Sequence, residues 1–395
     1  MAREYVVEAA RRVPVCGAYD VAVVGGGIAG VAAAVAAARN GARVCLVEKE
    51  NAPGGLATLG LIAYYLPLCD GLGHQVIGGL GEELLKLSVK YGPGEIPAAW
   101  RGRGSVEQRR RARYQVMFNP ASFLLALAEL LRTSGVHILY DTRFCDVRMN
   151  GRRIAALLVE NKGGRGAIRC RQVVDASGDA DVCARAGEPT VSLRTNGRSW
   201  WFYAWQEGTP TLHARHDPFG ELRKPGQRCY AGDDAADVSE MSIQAHSMIL
   251  NDIRRLARGE GFKSVYPLLA PSIPLFRMTR RLRGALELDL ADEGRAFPDT
   301  VGLTGDWRNP GPVFALPFRC LHAVRTDNLV TAGRCISCSA ATGEITRAIP
   351  ACAVTGEAAG TAAALACRGN GGVAALDVAA LRQKLLQQRV ILRGA

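Results

Sequence analysis

The chain has 395 residues, and a domain size of about 150 residues predicts two to three domains, or one large α/β domain with an insertion. Hydrophobic residues make up 48% and charged residues 22%, which is typical of a globular protein and excludes a disordered, collagen-like or coiled-coil chain. The 49 Lys and Arg against 37 Asp and Glu give a net charge of +12. An anionic ligand, an anionic substrate or a polyanion surface is therefore permitted, and the charge alone does not choose among them.

The 12 cysteines are scattered at a density far below that of a disulfide scaffold, which predicts reduced thiols and a cytoplasmic protein. Residues 1–12 carry charged side chains and no apolar segment, so we expect no secretory signal. Residues 21–38 are uncharged over nearly the length of a membrane-spanning helix, but β-branched residues, glycines and alanines follow one another there. That order predicts a strand, a turn and a helix, and no membrane contact.

Residues 25–30 form a glycine-rich turn between a predicted strand and a predicted helix. Gly25, Gly27 and Gly30 fit the pattern G-x-G-x-x-G. In such a turn the first glycine permits the tight bend, the second lets the backbone approach a pyrophosphate, and the third lets the helix pack closely on the strand. The helix N-terminus presents free N–H groups and a partial positive charge to the phosphates. The turn therefore predicts a dinucleotide site.

The residues after this helix favour FAD among the dinucleotides. A second predicted strand, residues 42–47, ends at Glu48, whose carboxylate can accept hydrogen bonds from ribose hydroxyls and disfavours the 2′-phosphate of NADP. The next segment, residues 49–58, contains Gly54 and Gly55, which allow a second close approach of the backbone. An NAD dehydrogenase normally enters another helix at this point, so the glycine-rich loop favours FAD over NAD.

The rest of the chain indicates an α/β fold with an insertion. Helices are expected over residues 78–91, 119–133 and 349–367, and strands over residues 136–139, 143–149, 153–161, 167–170, 172–176 and 328–332. The strands at 153–161 and 167–170 are interpreted as a hairpin, and the strand at 172–176 as the return to the nucleotide domain. The predicted organisation is FAD-binding residues 1–90, a basic excursion at 91–118, FAD-binding residues 119–186 with a β insertion, a substrate domain at 187–325 and FAD-binding residues 326–395.

Two segments outside the glycine motifs have unusual composition. Residues 101–113 are strongly basic, and without interleaved aromatic residues or a known module they predict a solvated loop and no binding of nucleic acid. The aromatic side chains of Trp200, Trp201, Tyr203 and Trp205 would alternate across a strand. They are interpreted either as the wall of a pocket or as the core of a sheet.

Several motifs together make the chain similar to a known family. They are the glycine turn at 25–30, Glu48, the glycine pair at 54–55, and the segments VVDASGDAD at 173–181, RMTRRLRG at 277–284, NLVTAGRCIS at 328–337 and ITRAIPACAVTGEAAGTAAAL at 345–365. With them the chain resembles the FAD-dependent oxidoreductase family with a glutathione-reductase-like flavin fold. The resemblance implies FAD as cofactor, bound by a Rossmann-like domain of the glutathione-reductase type with an inserted β-rich substrate domain.

The resemblance also implies the cofactor contacts of individual residues. The pyrophosphate would be held by the turn that contains Gly25, Gly27, Ala29 and Gly30, and the adenosine ribose by Glu48 with its neighbour Lys49. The loop with Gly54, Gly55 and Thr58 would approach the second phosphate and the flavin ring. Phe144 would border adenine, Ala176 and Gly178 would lie near the ribose, and Gly333 and Arg334 would form the second FAD-contacting turn, where many flavoproteins have an acidic residue in place of Arg334.

The catalytic residues are less clear from the sequence. In flavoproteins of this shape a late helix points its N-terminus at the flavin, and residues 348–353 are the candidate. Family members often carry a histidine before the Pro-Phe pair, whereas residues 305–318 contain none and leave Asp306 or Trp307 in that neighbourhood. Arg280 and Arg281 are candidates for binding an anionic substrate or FAD phosphate, with a structural ion pair as the alternative. Arg347, which precedes the late helix, is a candidate for neutralising substrate or flavin charge. No base is evident, since the histidines are dispersed at positions 74, 137, 213, 216, 246 and 322.

Cys335 and Cys338 form a C-x-x-C pair, which indicates either a thiol–disulfide relay or two unrelated cysteines. No second pair or histidine pair lies near, so no metal site is expected.

The predicted function is FAD-dependent oxidation of a small substrate, with an anionic one favoured by the arginines, by hydride transfer to flavin N5. Two other classes stay open: a non-redox or NAD-using biosynthetic enzyme on the same fold, and an electron-transfer flavoprotein subunit. The expected partner is a small-molecule substrate, and a homo-oligomer is compatible with the sequence.

Overall fold

The computed structural model describes residues 6, 8–102, 104–215, 226–369 and 371–394. The described strands are β1 (Val15–Val24), β2 (Val44–Val47), β3 (Tyr64–Tyr65), β4 (Val116–Met117), β5 (His137–Leu139), β6 (Arg143–Asn150), β7 (Arg153–Asn161), β8 (Gly164–Asp175), β9 (Thr190–Ser192), β10 (Trp200–Gln206), β11 (Thr209–Arg215), β12 (Tyr266–Leu269), β13 (Arg280–Leu282), β14 (Thr300–Gly305), β15 (Val313–Pro317) and β16 (Leu329–Thr331). The described helices are α1 (Ile28–Arg39), α2 (Gly79–Ser88), α3 (Val106–Arg111), α4 (Pro120–Thr133), α5 (Asp181–Arg185), α6 (Ala235–Leu256), α7 (Ala340–Thr346), α8 (Ile349–Ala366) and α9 (Val378–Gln387).

The largest sheet joins strands from distant parts of the chain. Its order is β5-β2-β1-β8-β7-β6, and β16 also pairs with β8. The strands β5, β2, β1, β8 and β16 run parallel to their neighbours in this set, whereas β6 and β7 pair in antiparallel fashion. The carboxyl ends of the parallel strands therefore meet at one edge, which is where ligands bind in open α/β sheets.

Strand β8 corrects one prediction. The sequence was interpreted as a hairpin strand at 167–170 and a separate strand at 172–176, but β8 is continuous over 12 residues. Its first half pairs with β7 and its last three residues pair with β16. At the junction of the two predicted strands, Arg169 and Arg171 are exposed and alternate with less exposed neighbours, as the pleat of a strand allows.

Helices α1 and α8 pack closely because small residues face each other. A Cβ atom on Gly356 would lie 2.2 Å from the carbonyl oxygen of Ala29, and one on Gly360 would lie 2.1 Å from that of Ala33. Among the described residues α8 is the one helix with the length and composition of a membrane span, and 89% of that span is buried inside the protein. Its apolar composition therefore matches a core position.

The region predicted as β-rich also contains a long helix that the sequence interpretation missed. Helix α6 has 22 residues, and its buried side chains recur at intervals of four along a narrow stripe. Ile249 and Ile253 pack on Phe202 in the sheet of β10, β11 and β12. On another side of β10, Trp201 packs against Leu61 and Leu275. Of the aromatic residues of β10, Phe202 and Trp201 thus serve as core.

The basic segment 101–113 contains a short helix where a loop was predicted. Ser105 caps α3 by accepting from the backbone N–H of Gln108, whose side chain accepts in turn from the backbone N–H of Ser105. This reciprocal capping starts a helix despite the charge of the segment. Arg113 ties the segment to the β14–β15 hairpin by donating to the carbonyl oxygen of Trp307 at 2.8 Å.

Candidate functional site

A cavity of about 720 Å³ lies at the carboxyl ends of the parallel strands. Gly25 directly follows β1, Glu48 follows β2 and Ala176 follows β8, and all three line the cavity. Gly333 lies two residues beyond β16 and lines it as well. The sheet topology thus gathers segments that are up to about 300 residues apart in the sequence.

Most of the predicted site residues line this cavity. They are Gly25, Gly27, Ala29, Glu48, Lys49, Gly54, Gly55, Phe144, Ala176, Gly178, Arg280, Gly333, Arg334 and Arg347. Three predicted residues, Gly30, Thr58 and Asp306, lie outside the lining.

The three glycines of the first turn have different tasks. Gly25 has a φ of +99°, and a Cβ atom there would lie 2.4 Å from the carbonyl oxygen of Ala176, so the position requires glycine. A Cβ atom on Gly27 would meet no atom of the described residues within 4 Å, so this backbone is open to a ligand. A Cβ atom on Gly30 would lie 1.7 Å from the carbonyl oxygen of Gly25. Gly30 therefore serves the close packing of the turn.

The second glycine loop lies against the first. The backbone N–H of Gly54 donates to the carbonyl oxygen of Gly26 at 2.8 Å, and a Cβ atom on Gly55 would lie 3.1 Å from the Cα atom of Gly27. Thr58 is buried behind this loop, where its hydroxyl donates to the carbonyl oxygen of Pro53 at 2.6 Å. Thr58 thus braces the loop from behind.

Glu48 is buried between the two loops. Its carboxylate accepts hydrogen bonds from the backbone N–H groups of Gly26 and Glu50, the second at 2.8 Å. Burial raises the pKa of Glu48, against the opposing effect of these backbone donors. Because a carboxylate has about four acceptor positions, capacity for ribose hydroxyls remains.

Helices α1 and α8 begin at the cavity with no side-chain hydrogen bond from the residue before them. Neither Gly27 before α1 nor Ala348 before α8 offers a side-chain hydrogen bond to its helix, whereas α3, α4, α6, α7 and α9 are all capped by side chains. Ala29 of α1 and Ile349 and Cys352 of α8 line the cavity. Uncapped N–H groups of a first turn are free to bind an anion or a polar ligand. These donors, with the open backbone at Gly27, fit a dinucleotide.

Arg334 lies in the cavity wall, where residues from two other segments of the chain hold it. It donates to the carbonyl oxygen of Phe276 and lies 3.4 Å from a carboxylate oxygen of Asp179. A Cβ atom on Gly178 would lie 2.4 Å from the Nη2 atom of Arg334, so only glycine leaves space for the guanidinium. The guanidinium of Arg334 is therefore paired within the cavity wall.

Arg280 is surrounded by acceptors. It donates to the carbonyl oxygen of Asp179 at 3.0 Å and to the carboxylate of Asp181 at 2.7 Å, and it lies 3.8 Å from Asp233. Burial raises the pKa of Asp181 to about 6, as do the neighbouring carboxylates of Asp179 and Asp175, against the opposing effect of Arg280. The structure thus places Arg280 in an ion-pair network within the cavity wall.

Arg347 lines the cavity directly before α8. Its Nε and Nη2 atoms both donate to one carboxylate oxygen of Glu344, the Nε atom at 3.1 Å, and Nη1 takes part in neither bond. Arg334 and Arg347 are both close enough to Cys352 to oppose the burial that raises the pKa of its thiol to about 12. Two guanidinium groups thus flank the N-terminus of α8.

Asp306 lies away from the cavity lining, at the tip of the β14–β15 hairpin. Its carboxylate accepts from Arg308 at 2.8 and 3.0 Å and from Asn309 at 3.1 Å. Burial alone would raise the pKa of Asp306, but these donors lower it overall. The carboxylate is therefore committed to holding the hairpin tip.

Histidines and the C-x-x-C pair are separate from the cavity. None of the five histidines in the described ranges lines it, and His216 lies outside the described residues. The Cys335 thiol lies 3.4 Å from the carbonyl oxygen of Asp175, whereas the Cys338 thiol contacts the hydroxyl of Thr346 at 3.6 Å. Burial raises the pKa of both thiols, which disfavours thiolate chemistry. Across the described chain no group of three potential metal ligands occurs.

The sequence interpretation missed part of the lining. Asp179 and Asp181 belong to the quoted motif 173–181, so their place was available from the sequence. Arg143 begins strand β6 and Arg185 ends helix α5, and neither belongs to a motif that the sequence analysis singled out. Ile273, Pro274 and Phe276 enter the wall from the loop after β12, and no local pattern marks them.

The chain belongs to the FAD-dependent oxidoreductase family, whose sequence profile matches residues 20–199 and 190–385. It is accordingly an FAD-dependent oxidoreductase with FAD as its cofactor, and its fold combines a Rossmann-like FAD-binding domain with additional sheet structure. The glutathione-reductase-like subtype stays a prediction.

Three solved structures match most of this chain at low sequence identity. A geranylgeranyl bacteriochlorophyll reductase-like protein from Thermoplasma acidophilum is 14% identical over 95% of this chain and 84% of that chain, with a TM-score of 0.46. The p-nitrophenol 4-monooxygenase from Pseudomonas putida is 15% identical over 94% and 85%, with a TM-score of 0.46. A 3-ketosteroid dehydrogenase from Rhodococcus jostii is 16% identical over 89% and 97%, with a TM-score of 0.39.

Proposed function

We propose that this enzyme oxidises a small anionic substrate by hydride transfer to N5 of the flavin. The observation that carries the proposal is the position of Arg347 at the N-terminus of α8, in a cavity wall that also contains apolar side chains. The apolar members of this wall are Leu56, Ile273, Pro274, Phe276 and Ile349. When bound, FAD supplies the two-electron acceptor chemistry.

Arg347 is the group that supports an anionic substrate. Because Nη1 takes no part in the bonds to Glu344, its N–H groups are left to bind a carboxylate. Glu344 holds the other side of the guanidinium and so fixes its orientation. The apolar side chains nearby would exclude water from the carbon skeleton of the substrate.

The same wall stabilises negative charge. The first turn of α8 carries a partial positive charge, and the guanidinium groups of Arg334 and Arg347 flank it. Electron transfer into the cavity increases the negative charge there. Donors that are already oriented stabilise that charge without rearrangement, which supports the direction of the proposed half-reaction.

The test is anaerobic bleaching of the flavin absorbance by small hydroxy acids and amino acids, each compared with its amide. We expect bleaching by acids, loss of bleaching with the amides, and an apparent affinity for the acid about tenfold or more weaker in Arg347→Gln. Arg152→Gln is the matched control, because Arg152 is an exposed arginine paired with Asp327. Equal bleaching by acids and amides, or an unchanged affinity in Arg347→Gln, contradicts the proposal.

The cytoplasmic location is a further part of the proposal. All 12 cysteines are free thiols, including exposed Cys16. A chain with this many reduced thiols is typical of a reducing compartment, which supports that location. Fractionation of cells that produce the tagged protein tests it, and recovery outside the cytoplasm contradicts it.

A further inference from the structure

Thr355 joins the two walls of the cavity that lie nearest to α8. It is fully buried nearly two turns beyond the start of the helix. Its hydroxyl lies 3.0 Å from the carbonyl oxygen of Ala351 and 3.1 Å from that of Cys352, to which it donates. The same hydroxyl oxygen accepts from the backbone N–H of Gly333 at 3.0 Å. A single side chain thus connects α8 to the turn that carries Arg334.

The Gly333 turn has little space to move. Gly333 has a φ of +80°, and a Cβ atom there would lie 2.8 Å from the Cβ atom of Ala29 and 3.7 Å from the sulfur of Cys352. The turn therefore lies between the first turn of α1 and the first turn of α8. Gly333, Arg334 and Cys352 all line the cavity, so a shift of the turn changes the shape of the site.

We propose that Thr355 is a positioning residue for FAD, which acts by holding the Gly333–Arg334 turn against α8. Its hydroxyl proton is used within the helix, so the oxygen lone pairs face Gly333 and act as a fixed acceptor. The proposal concerns the cofactor and is independent of the substrate class.

Loss of this acceptor has a defined consequence. The buried N–H of Gly333 would have no partner, and an unpaired buried donor is costly, so the turn moves to find one. Arg334 moves with the turn, away from the position that its contacts with Phe276 and Asp179 define. The cationic group is then less well placed beside the cofactor, which weakens FAD binding and lowers the flavin midpoint potential.

The test compares three variants for FAD dissociation constant, flavin midpoint potential and thermal unfolding of the FAD-free protein. Thr355→Val keeps the shape but cannot accept, and we expect FAD affinity about tenfold weaker and a lower midpoint potential. Thr355→Ser keeps the hydroxyl, and we expect an FAD dissociation constant within about twofold of the wild type and an unchanged midpoint potential. Thr361→Val is the control, since Thr361 is equally buried in α8 but bonds to Gln388.

A purely structural role gives a different pattern. Thr355→Val would then lower the unfolding temperature as Thr361→Val does, with FAD affinity and midpoint potential unchanged, and this result overturns the proposal. If Thr355→Val does not fold, Thr355→Cys replaces it, because a thiol accepts weakly. If Thr355 is a positioning residue, Thr355→Cys binds FAD more weakly than the wild type does. Wild-type FAD affinity and midpoint potential in Thr355→Cys overturn the proposal.

Discussion

The carboxylate of Glu357 in α8 accepts a hydrogen bond from the backbone N–H of Leu80 at 2.7 Å, and so caps helix α2 from outside. Gln388, directly after α9, donates to the other carboxylate oxygen at 3.0 Å. One buried carboxyl thus joins three helices that are far apart in the sequence. Burial raises its pKa to about 7, against the opposing effect of these donors.

Glu357 makes stability depend on pH in a predictable direction. The pKa rises from an ordinary 4.5 to about 7 on folding, so the folded state binds more protons within that window. The stabilisation is complete below about pH 4.5 and is lost as the pH rises through 7, by roughly 3 kcal/mol in total. We expect Glu357→Gln to remove this contribution to the pH dependence of the unfolding free energy, which urea unfolding at pH 5 and pH 8 measures. If the unfolding free energy of the variant changes with pH as much as that of the wild type, Glu357 is not the group responsible.

Asp181 is expected to oppose FAD binding. Its carboxylate lines the same cavity as the glycine turn, and its pKa of about 6 leaves it mostly charged at pH 7.5. Because the FAD diphosphate is also negative, we expect Asp181→Asn to bind FAD about two- to threefold more tightly at pH 7.5. The gain should disappear near pH 5, where the wild-type group is protonated. Fluorescence titration of the FAD-free protein measures both values, and equal affinities at pH 7.5 would refute the idea.

Substitutions of two glycines in the first turn are expected to have different effects, one on FAD binding and the other on protein stability. Gly27→Ala places a methyl group in open space, so we expect an unchanged unfolding temperature of the FAD-free protein and FAD affinity weaker by about tenfold or more, because the backbone can no longer approach the pyrophosphate. Gly30→Ala would collide with the carbonyl oxygen of Gly25, so we expect it to lower the unfolding temperature itself. Calorimetry measures the unfolding temperature of each variant, and FAD titration measures its affinity. A lower unfolding temperature in Gly27→Ala with an unchanged one in Gly30→Ala contradicts these roles.

The contact between α1 and α8 tolerates no extra atom. We expect Gly360→Ala to cost about 1–3 kcal/mol of unfolding free energy, since its methyl group would overlap the backbone of Ala33. Gly369→Ala is the control, because a Cβ atom there meets no described atom within 4 Å. The measurement is chemical unfolding of both variants. Equal stability of the two variants would contradict the close helix packing.

Elements whose signals are contained in a short stretch of sequence could be predicted from the sequence. The strand, turn and helix around Gly25 could be predicted because the alternation of residue types and the spacing of the glycines are local. The helix at 120–133 was predicted for the same reason, since Asn119 caps it and Pro120 suits its first turn.

The rest depends on contacts that no local pattern records. Helix α6 was missed because its apolar stripe is narrow and most of its surface is polar. The pairing of Arg334 with Asp179 spans 155 residues, and that of Glu357 with Leu80 spans 277. Arg280 was interpreted as a ligand clamp or an ion pair, and only its three-dimensional surroundings show how many carboxylates face it.

The placement of β16 and α8 late in the chain has a consequence for biosynthesis. While the ribosome is still translating residues before 329, strand β8 lacks its parallel neighbour β16 and the alanine face of α1 has no helix α8 to cover it. The cavity therefore lacks part of its wall, and the apolar face of α1 stays exposed, until β16 and α8 have been synthesised.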